Sequence, residues 1–382
     1  MDLPPGFEHV TAWRQHLHAH PELGRQEAET ARFVCERLRE MAIPFTPGVG
    51  GHGVVATLSR GTSNRSVGLR ADMDALPITE ETGLPYASSN AGVMHACGHD
   101  GHTASLLGAA MLLQADPGWT GTVQFVFQPA EEGLAGAAAM IADGLFERFP
   151  MERIFGYHNW PGLQAGTVAL HDGPVMASGS KIEITVEGHA GHAAMPHLTR
   201  DPMVAAAHLL IALQTVVSRN IDPLDNAVLS ICTVNAGVAP NQIPARVSMT
   251  GTCRSYREEV HDLIEAGIAR VSAGVGQTFG VSVAPRVIPG VCATVNTLPE
   301  VALAHEGASS AGLPVRRDLL PAMTGEDFGW YLHRVPGAFA WVGNGPAQPG
   351  TELHNPGYNY NDAILPAASA WLASTAKQAL QA

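Results

Sequence analysis

The segment His95-Ala-Cys-Gly-His-Asp-Gly-His102 gathers potential ligands more densely than any other stretch of the chain. Side chains two apart in an extended segment point the same way, so Cys97 and His99 can face one metal ion. Gly98 and Gly101 let the backbone come close. A thiolate beside an imidazole suits zinc, manganese, cobalt or nickel. The same residues also fit a plain turn with one buried cysteine and solvated histidines. A second segment, Gln128-Pro-Ala-Glu-Glu-Gly133, follows an apolar run. One of its adjacent carboxylates can ligate a metal while the other holds a bound water, whose pKa a divalent ion draws toward about 7. The pair also fits the start of a helix, where it complements the dipole. His158 in Gly156-Tyr-His-Asn159 and His354 in Leu353-His-Asn-Pro356 each read, taken alone, as core or loop residues. Recurrence changes that weight. Cys97, His99, Glu132 and His158 all fall at or just beyond strand ends, where α/β sheets gather their sites. Five ligands, with His354, exceed the four of a tetrahedral zinc, which points to a two-metal site.

The elements that must position these groups alternate between strand and helix. Phe7 to Met41 reads as helix with a break at Pro21. Strand-like runs recur at Val54–Leu58, Ser66–Arg70, Thr122–Gln128 and Ile154–Tyr157, with helices at Thr103–Gln114 and after Glu132. This order predicts an α/β sheet with helices on both faces. From Lys181 the pattern becomes β-α-β-β-α-β, ending at Val281–Val287, which fits an inserted ferredoxin-like α+β unit. The α/β pattern then resumes, with a helix at Leu298–Ala311 and a strand at Ala338–Val342. Pro47–Gly53 matches G-x-G-x-x-G but precedes a strand instead of following one, so it reads as a turn and not a dinucleotide site.

At 382 residues the chain exceeds one ordinary hydrophobic core, so two domains are expected. Its 22 Lys+Arg against 35 Asp+Glu give a net charge of -13, which excludes general binding to nucleic acid or an anionic membrane. An anionic substrate must be met by a few placed cations. No run approaches the roughly 18 uninterrupted apolar residues of a membrane helix, and the first ten residues carry no signal-peptide pattern. The five scattered cysteines, Cys35, Cys97, Cys232, Cys253 and Cys292, argue against a disulfide framework and for a reducing, cytoplasmic setting. H-E-x-x-H and G-x-S-x-G are both missing.

Nine motifs in order carry a family resemblance: LHAHPEL (17–23), RADMDALP (70–77), MHACGHDGHT (94–103), FQPAEEG (127–133), GYHNWP (156–161), GHAAMPH (191–197), APNQIP (239–244), GEDF (325–328) and LHNP with YNYND (353–362). With them the chain resembles the hippurate hydrolase and indoleacetyl-amino-acid hydrolase branch of the aminoacylase/carboxypeptidase-type metallopeptidases. The resemblance implies a catalytic domain at 1–176 and 289–382, interrupted by a lid and dimerisation domain at 177–288. It implies a homodimer or homotetramer. It implies two divalent metal ions, zinc or manganese (cobalt and nickel also fit), held by Cys97, His99, Glu132, His158 and His354. Glu131 becomes the general base, and Asp74 the acid that orients a ligand. Related branches carry a metal-binding histidine where this chain has Asp72, which is therefore left out of the ligand set. His192 would reach in from a neighbouring subunit to steady the oxyanion, and Asn241 and Arg254 would meet the substrate carboxylate. The implied reaction is hydrolysis of a small N-acyl-amino acid, hippurate-like, to a carboxylic acid and a free amino acid. The alternatives are a deacetylase for one N-acetylated amino acid and a catalytically silent carrier of acyl-amino acid or metal.

Overall fold

The computed structural model describes residues 3–133 and 135–382. Backbone proximity divides them into two compact units. The first runs to Val175 and resumes at Thr294–Pro321 and Asp327–Ala382; the second is Met176–Ala293 with Ala322–Glu326.

The first unit is built on an eight-stranded sheet. Its order is Phe45–Val49, Gly53–Arg60, Gly121–Gln128, Ser66–Asp72, Arg153–Pro161, Gly337–Gly345, Val168–Ala169, Val315–Arg316. The four middle strands run parallel, and Gly53–Arg60 joins them antiparallel. These strands are buried on both faces, as parallel strands generally are. From Ser66–Asp72 the chain moves to the neighbour on one side, Gly121–Gln128, and then crosses to the neighbour on the other, Arg153–Pro161. The connection reverses at Ser66–Asp72, and the carboxyl end of such a strand is where open α/β sheets form their crevice.

The two faces differ in content. Val67, Leu69, Ala71, Phe155 and Tyr157 enter one apolar core with the helices His9–Ala19, Ala28–Glu40, His99–Ala115, Leu298–Ser310 and Leu365–Gln381. The opposite pleat presents Gly68, Arg70, Gln128 and Gly156, and it meets Met151, Phe328 and Tyr331.

Three local expectations shift. The break at Pro21 widens to residues 20–27 between the first two helices. The turn expected over Pro47–Gly53 narrows to Gly50–His52, because Phe45–Val49 pairs with Gly53–Arg60 as an edge strand; proline and glycine are tolerated at such an edge. The helix expected from Thr103 begins at His99. Its first turn, His-Asp-Gly-His, has no apolar periodicity to announce it.

The second unit is a four-stranded antiparallel sheet in the order Ala227–Ala236, Arg246–Ser255, Ser178–Glu187, Ser282–Val291. With the helices Pro202–Asn220 and Glu258–Phe279 it makes the ferredoxin-like β-α-β-β-α-β order. Ile182, Ile184 and Val186 pack with Leu209, Leu213, Val216, Ile264 and Ile268. The Asp201 carboxylate caps the first helix, accepting from the backbone N–H of Met203 at 2.8 Å. By length and mean hydropathy of 1.3 this helix could cross a membrane. His208 and Gln214 interrupt its apolar run, and its buried stripe packs within its own unit.

Candidate metal centre

The extended reading of Cys97 and His99 is corrected by the backbone between them. Gly98 is left-handed (φ 89°) and turns the chain straight into the helix that starts at His99. A Cβ at Gly98 would lie 2.3 Å from Asn159 Nδ2 and 2.5 Å from the Tyr358 hydroxyl, so both conformation and space demand glycine. The turn, not strand alternation, brings the thiol and the imidazole together.

Five donor groups from four sections of the chain converge here. Cys97 Sγ lies 3.3 Å from His158 Nε2. His99 Nε2 lies 3.9 Å from Glu132 Oε1, which lies 3.3 Å from His354 Nε2. Cys97, His99 and His158 form one trio with all donor atoms within 4.8 Å, and Cys97, Glu132 and His354 form another. Ligands about 2.0–2.3 Å from a tetrahedral ion sit roughly 3.5 Å apart, the spacing found here. The His158 ring donates from Nδ1 to the Asn159 carbonyl at 2.7 Å, leaving Nε2 toward the thiol. Asp74 ties two of the groups together: Oδ1 is 3.2 Å from His99 Nδ1, and Oδ2 accepts the Glu132 N–H at 3.0 Å.

The electrostatics test whether a cation fits. His99 Nε2 and Glu132 Oε1 are buried yet hydrogen-bond to no described residue. Burial alone would lower the His99 imidazole, but Asp72 and Asp74 outweigh it and hold it up to about 10. Burial, reinforced by Glu132 and Glu131, pushes the Cys97 thiol well above its usual range. The cavity thus carries excess negative charge that retains protons on two groups, and a divalent cation is what displaces such protons. His158 moves well downward through burial and the neighbouring His102, so it stays a neutral ligand. The donor set fits a divalent metal.

Asp72 forms a further donor group with His99 and His102, all within 4.8 Å, but its two oxygens are already engaged. The His102 ring donates from Nδ1 to Asp72 Oδ1 at 2.6 Å, and the Arg70 guanidinium holds Oδ2 at 2.7 Å. His102 Nε2 in turn accepts the Asn159 N–H at 3.0 Å. Although burial opposes it, the cations and histidines around Asp72 keep its carboxyl well below the ordinary value. Arg70 also reaches Gln128 at 2.8 Å and Asp327 at 3.0 Å. The Asp327 N–H donates to Glu131 Oε1 at 3.3 Å.

Glu131 and Glu132 do not open a helix; the next one begins at Gly136. They lie in a turn that starts with left-handed Ala130 (φ 55°). Among the described residues, five non-glycines have left-handed φ, and three of them (Ala130, Ala135 and His354) belong to or follow the turns that carry candidate donors. Strain of about 1–3 kcal/mol each persists where surrounding contacts over-determine it.

The remaining expected residues lie in the second unit. His192 and Asn241 meet on a two-stranded ribbon in which the Ala193 N–H donates to the Asn241 carbonyl at 3.0 Å. Both are exposed. Arg254 stands opposite Gly179, at the other end of that unit's central strands. Sequence reasoning did not single out Arg70, His102, Asn159, Asp327 or Glu27. The only signal for the first was its place on the polar pleat of a buried strand.

The sequence profile described as Peptidase family M20/M25/M40 matches residues 68–378. N-acetyl-L-cysteine deacetylase of Bacillus subtilis is 39% identical over 368 residues, covering 96% of this chain and 87% of the relative. Hippurate hydrolase of Campylobacter jejuni is 38% identical over 391 residues, covering 100% and 98%. The crystal structure of the YXEP protein of Bacillus subtilis, described as a dinuclear metal binding peptidase from the M20 family, superposes with a TM-score of 0.87. It is 34% identical, with 98% of each chain covered.

Proposed function

The chain belongs to peptidase family M20/M25/M40, and from that premise we propose that it is a metal-dependent amidohydrolase of N-acyl-amino acids, yielding a carboxylic acid and a free amino acid. The observation that carries the reading is the convergence of Cys97, His99, Glu132, His158 and His354 around two buried atoms that make no hydrogen bond to a described residue, with Glu131 beside them. Those five side chains would hold two divalent ions, zinc or manganese by the softness of the donors. Such ions, when bound, polarise a carbonyl and acidify a water.

The protein groups then divide the work. Glu131, fixed by the Asp327 N–H, takes a proton from the attacking water and returns it to the leaving amine, which is not expelled as an anion. Asp74 keeps His99 and Glu132 in place. His192 receives the Ala194 N–H on Nδ1 at 3.1 Å, so its proton sits on Nε2, free to donate to an oxyanion developing in a neighbouring subunit. Arg254 takes the substrate carboxylate, for which arginine offers a bidentate fork, and Asn241, at the far end of the same strands, would meet it from a neighbouring subunit. Met203, Val204 and Ile211, exposed on one side of the helix Pro202–Asn220, support a homodimer through the inserted unit. Five free cysteines support a reducing, cytoplasmic setting.

Aroyl substrates such as hippurate are the first choice. Removal of an acetyl group from one amino acid is the second reading, favoured by the similarity to the N-acetyl-L-cysteine deacetylase. A screen of N-acyl-amino acids, with acyl group and amino acid varied independently on metal-stripped and reconstituted protein, separates the two. Glu131→Gln is expected to keep its metal and lose about 10²–10⁴-fold in kcat. Near-normal turnover would remove Glu131 from its role.

A further inference from the structure

Glu27 stands immediately before the helix Ala28–Glu40, yet its side chain makes no capping hydrogen bond to that helix. It is wholly buried, and its Oε1 instead accepts the backbone N–H of Ala130 at 2.7 Å, 103 positions along the chain. Ala130 is the left-handed residue that precedes Glu131. Buried carboxylates also grip an amide of this turn and one in the first turn of the helix that follows. Asp74 takes the Glu132 N–H at 3.0 Å, and Asp327 takes the Ala137 N–H at 2.9 Å. The Ala130 carbonyl accepts from the Gly136 N–H at 3.0 Å. Asp74 also serves His99, and Asp327 also serves Arg70 and Gln128. Glu27 Oε2, by contrast, is buried without a hydrogen bond to any described residue.

We propose that Glu27 is a positioning residue for Glu131: by accepting the Ala130 N–H it holds the left-handed turn that aims the carboxylate. A left-handed alanine is disfavoured and persists only where its surroundings insist on it. Without the acceptor, a buried N–H is left unsatisfied, and the turn gains a reason to rotate toward an ordinary conformation. Rotation at residue 130 swings the side chain of residue 131 directly. Placement errors of about 1 Å at a reacting group can cost on the order of 100-fold in rate.

Two substitutions of similar volume separate acceptor from filler. Glu27→Gln keeps an oxygen facing Ala130; Glu27→Met fills the space and offers none. The readouts are kcat and KM on the best N-acyl-amino acid, metal content, thermal midpoint and amide exchange at Ala130. Glu27→Gln is expected within a few-fold of the parent, with the Ala130 amide protected. Glu27→Met is expected to lose about 10–100-fold in kcat at unchanged KM and metal content, with the Ala130 amide exchanging faster. Should the Met variant not fold, Glu27→Asp, one methylene short of Ala130, must show the same loss. Equal kcat and equal Ala130 exchange in the Gln and Met variants would overturn the assignment. Because the role of Glu131 comes from the proposed function, a parent protein that hydrolyses no N-acyl-amino acid overturns both. That failure is recognisable, since the exchange arm reads the Glu27–Ala130 contact without any turnover.

Discussion

Two strands share one binary pattern and use it oppositely. Ser66–Asp72 reads Val-Gly-Leu-Arg-Ala-Asp after its first serine, and Ser178–Glu187 reads Lys-Ile-Glu-Ile-Thr-Val-Glu after its first three residues. In the inserted unit the polar pleat does face water: Lys181 and Glu183 form an exposed pair at 2.7 Å. In the first unit both pleats are dry. Arg70 and Asp72 are fully buried and are joined by Asp327, Gln128 and His102. Alternation therefore reports chemistry, not exposure. Where a polar pleat is buried, every charge must find a partner. The resulting network places groups to within the tolerances that catalysis requires.

Substitutions on the two polar pleats should differ most at matched positions. Arg70→Met leaves Asp72 and Asp327 buried without their shared cation. It is expected to cost about 3–5 kcal/mol in urea unfolding, because removing one partner strands the other. A loss below about 1 kcal/mol would mean that the pleat is not the rigid frame described above. Arg254→Ala, on the neighbouring strand of the inserted sheet, should spare stability and raise KM for acylated amino acids about tenfold or more, the scale of a hydrogen bond to a charged group. An unchanged KM removes that contact. Smallest is Lys181→Ala, expected within about 0.5 kcal/mol of the parent by thermal or urea unfolding. A larger change would show that the wet pleat has a structural function of its own.

The candidate ligands were legible because their chemistry is rare. Cysteine, histidine and glutamate recurring just past strand-like runs have few other reasons to be there. The inserted fold was equally legible, since its strands and helices differ in period and each shows one apolar face. The positioning residues were not legible. Glu27 looks like an ordinary residue at the start of a helix, and Arg70 looks like the solvent side of a strand. Nor did His-Asp-Gly-His announce a helical turn, because the buried surroundings that favour it come from tyrosines more than 250 positions away.

Residue type and local period already declare which atoms are available for chemistry and which of the longer segments are strand or helix. Which pleat is dry, and which carboxylates face the candidate metal cavity and which hold backbone, emerges only from the folded chain. Those outcomes depend on burial and on partners brought together by the crossing of the chain at Ser66–Asp72, and no local pattern encodes them.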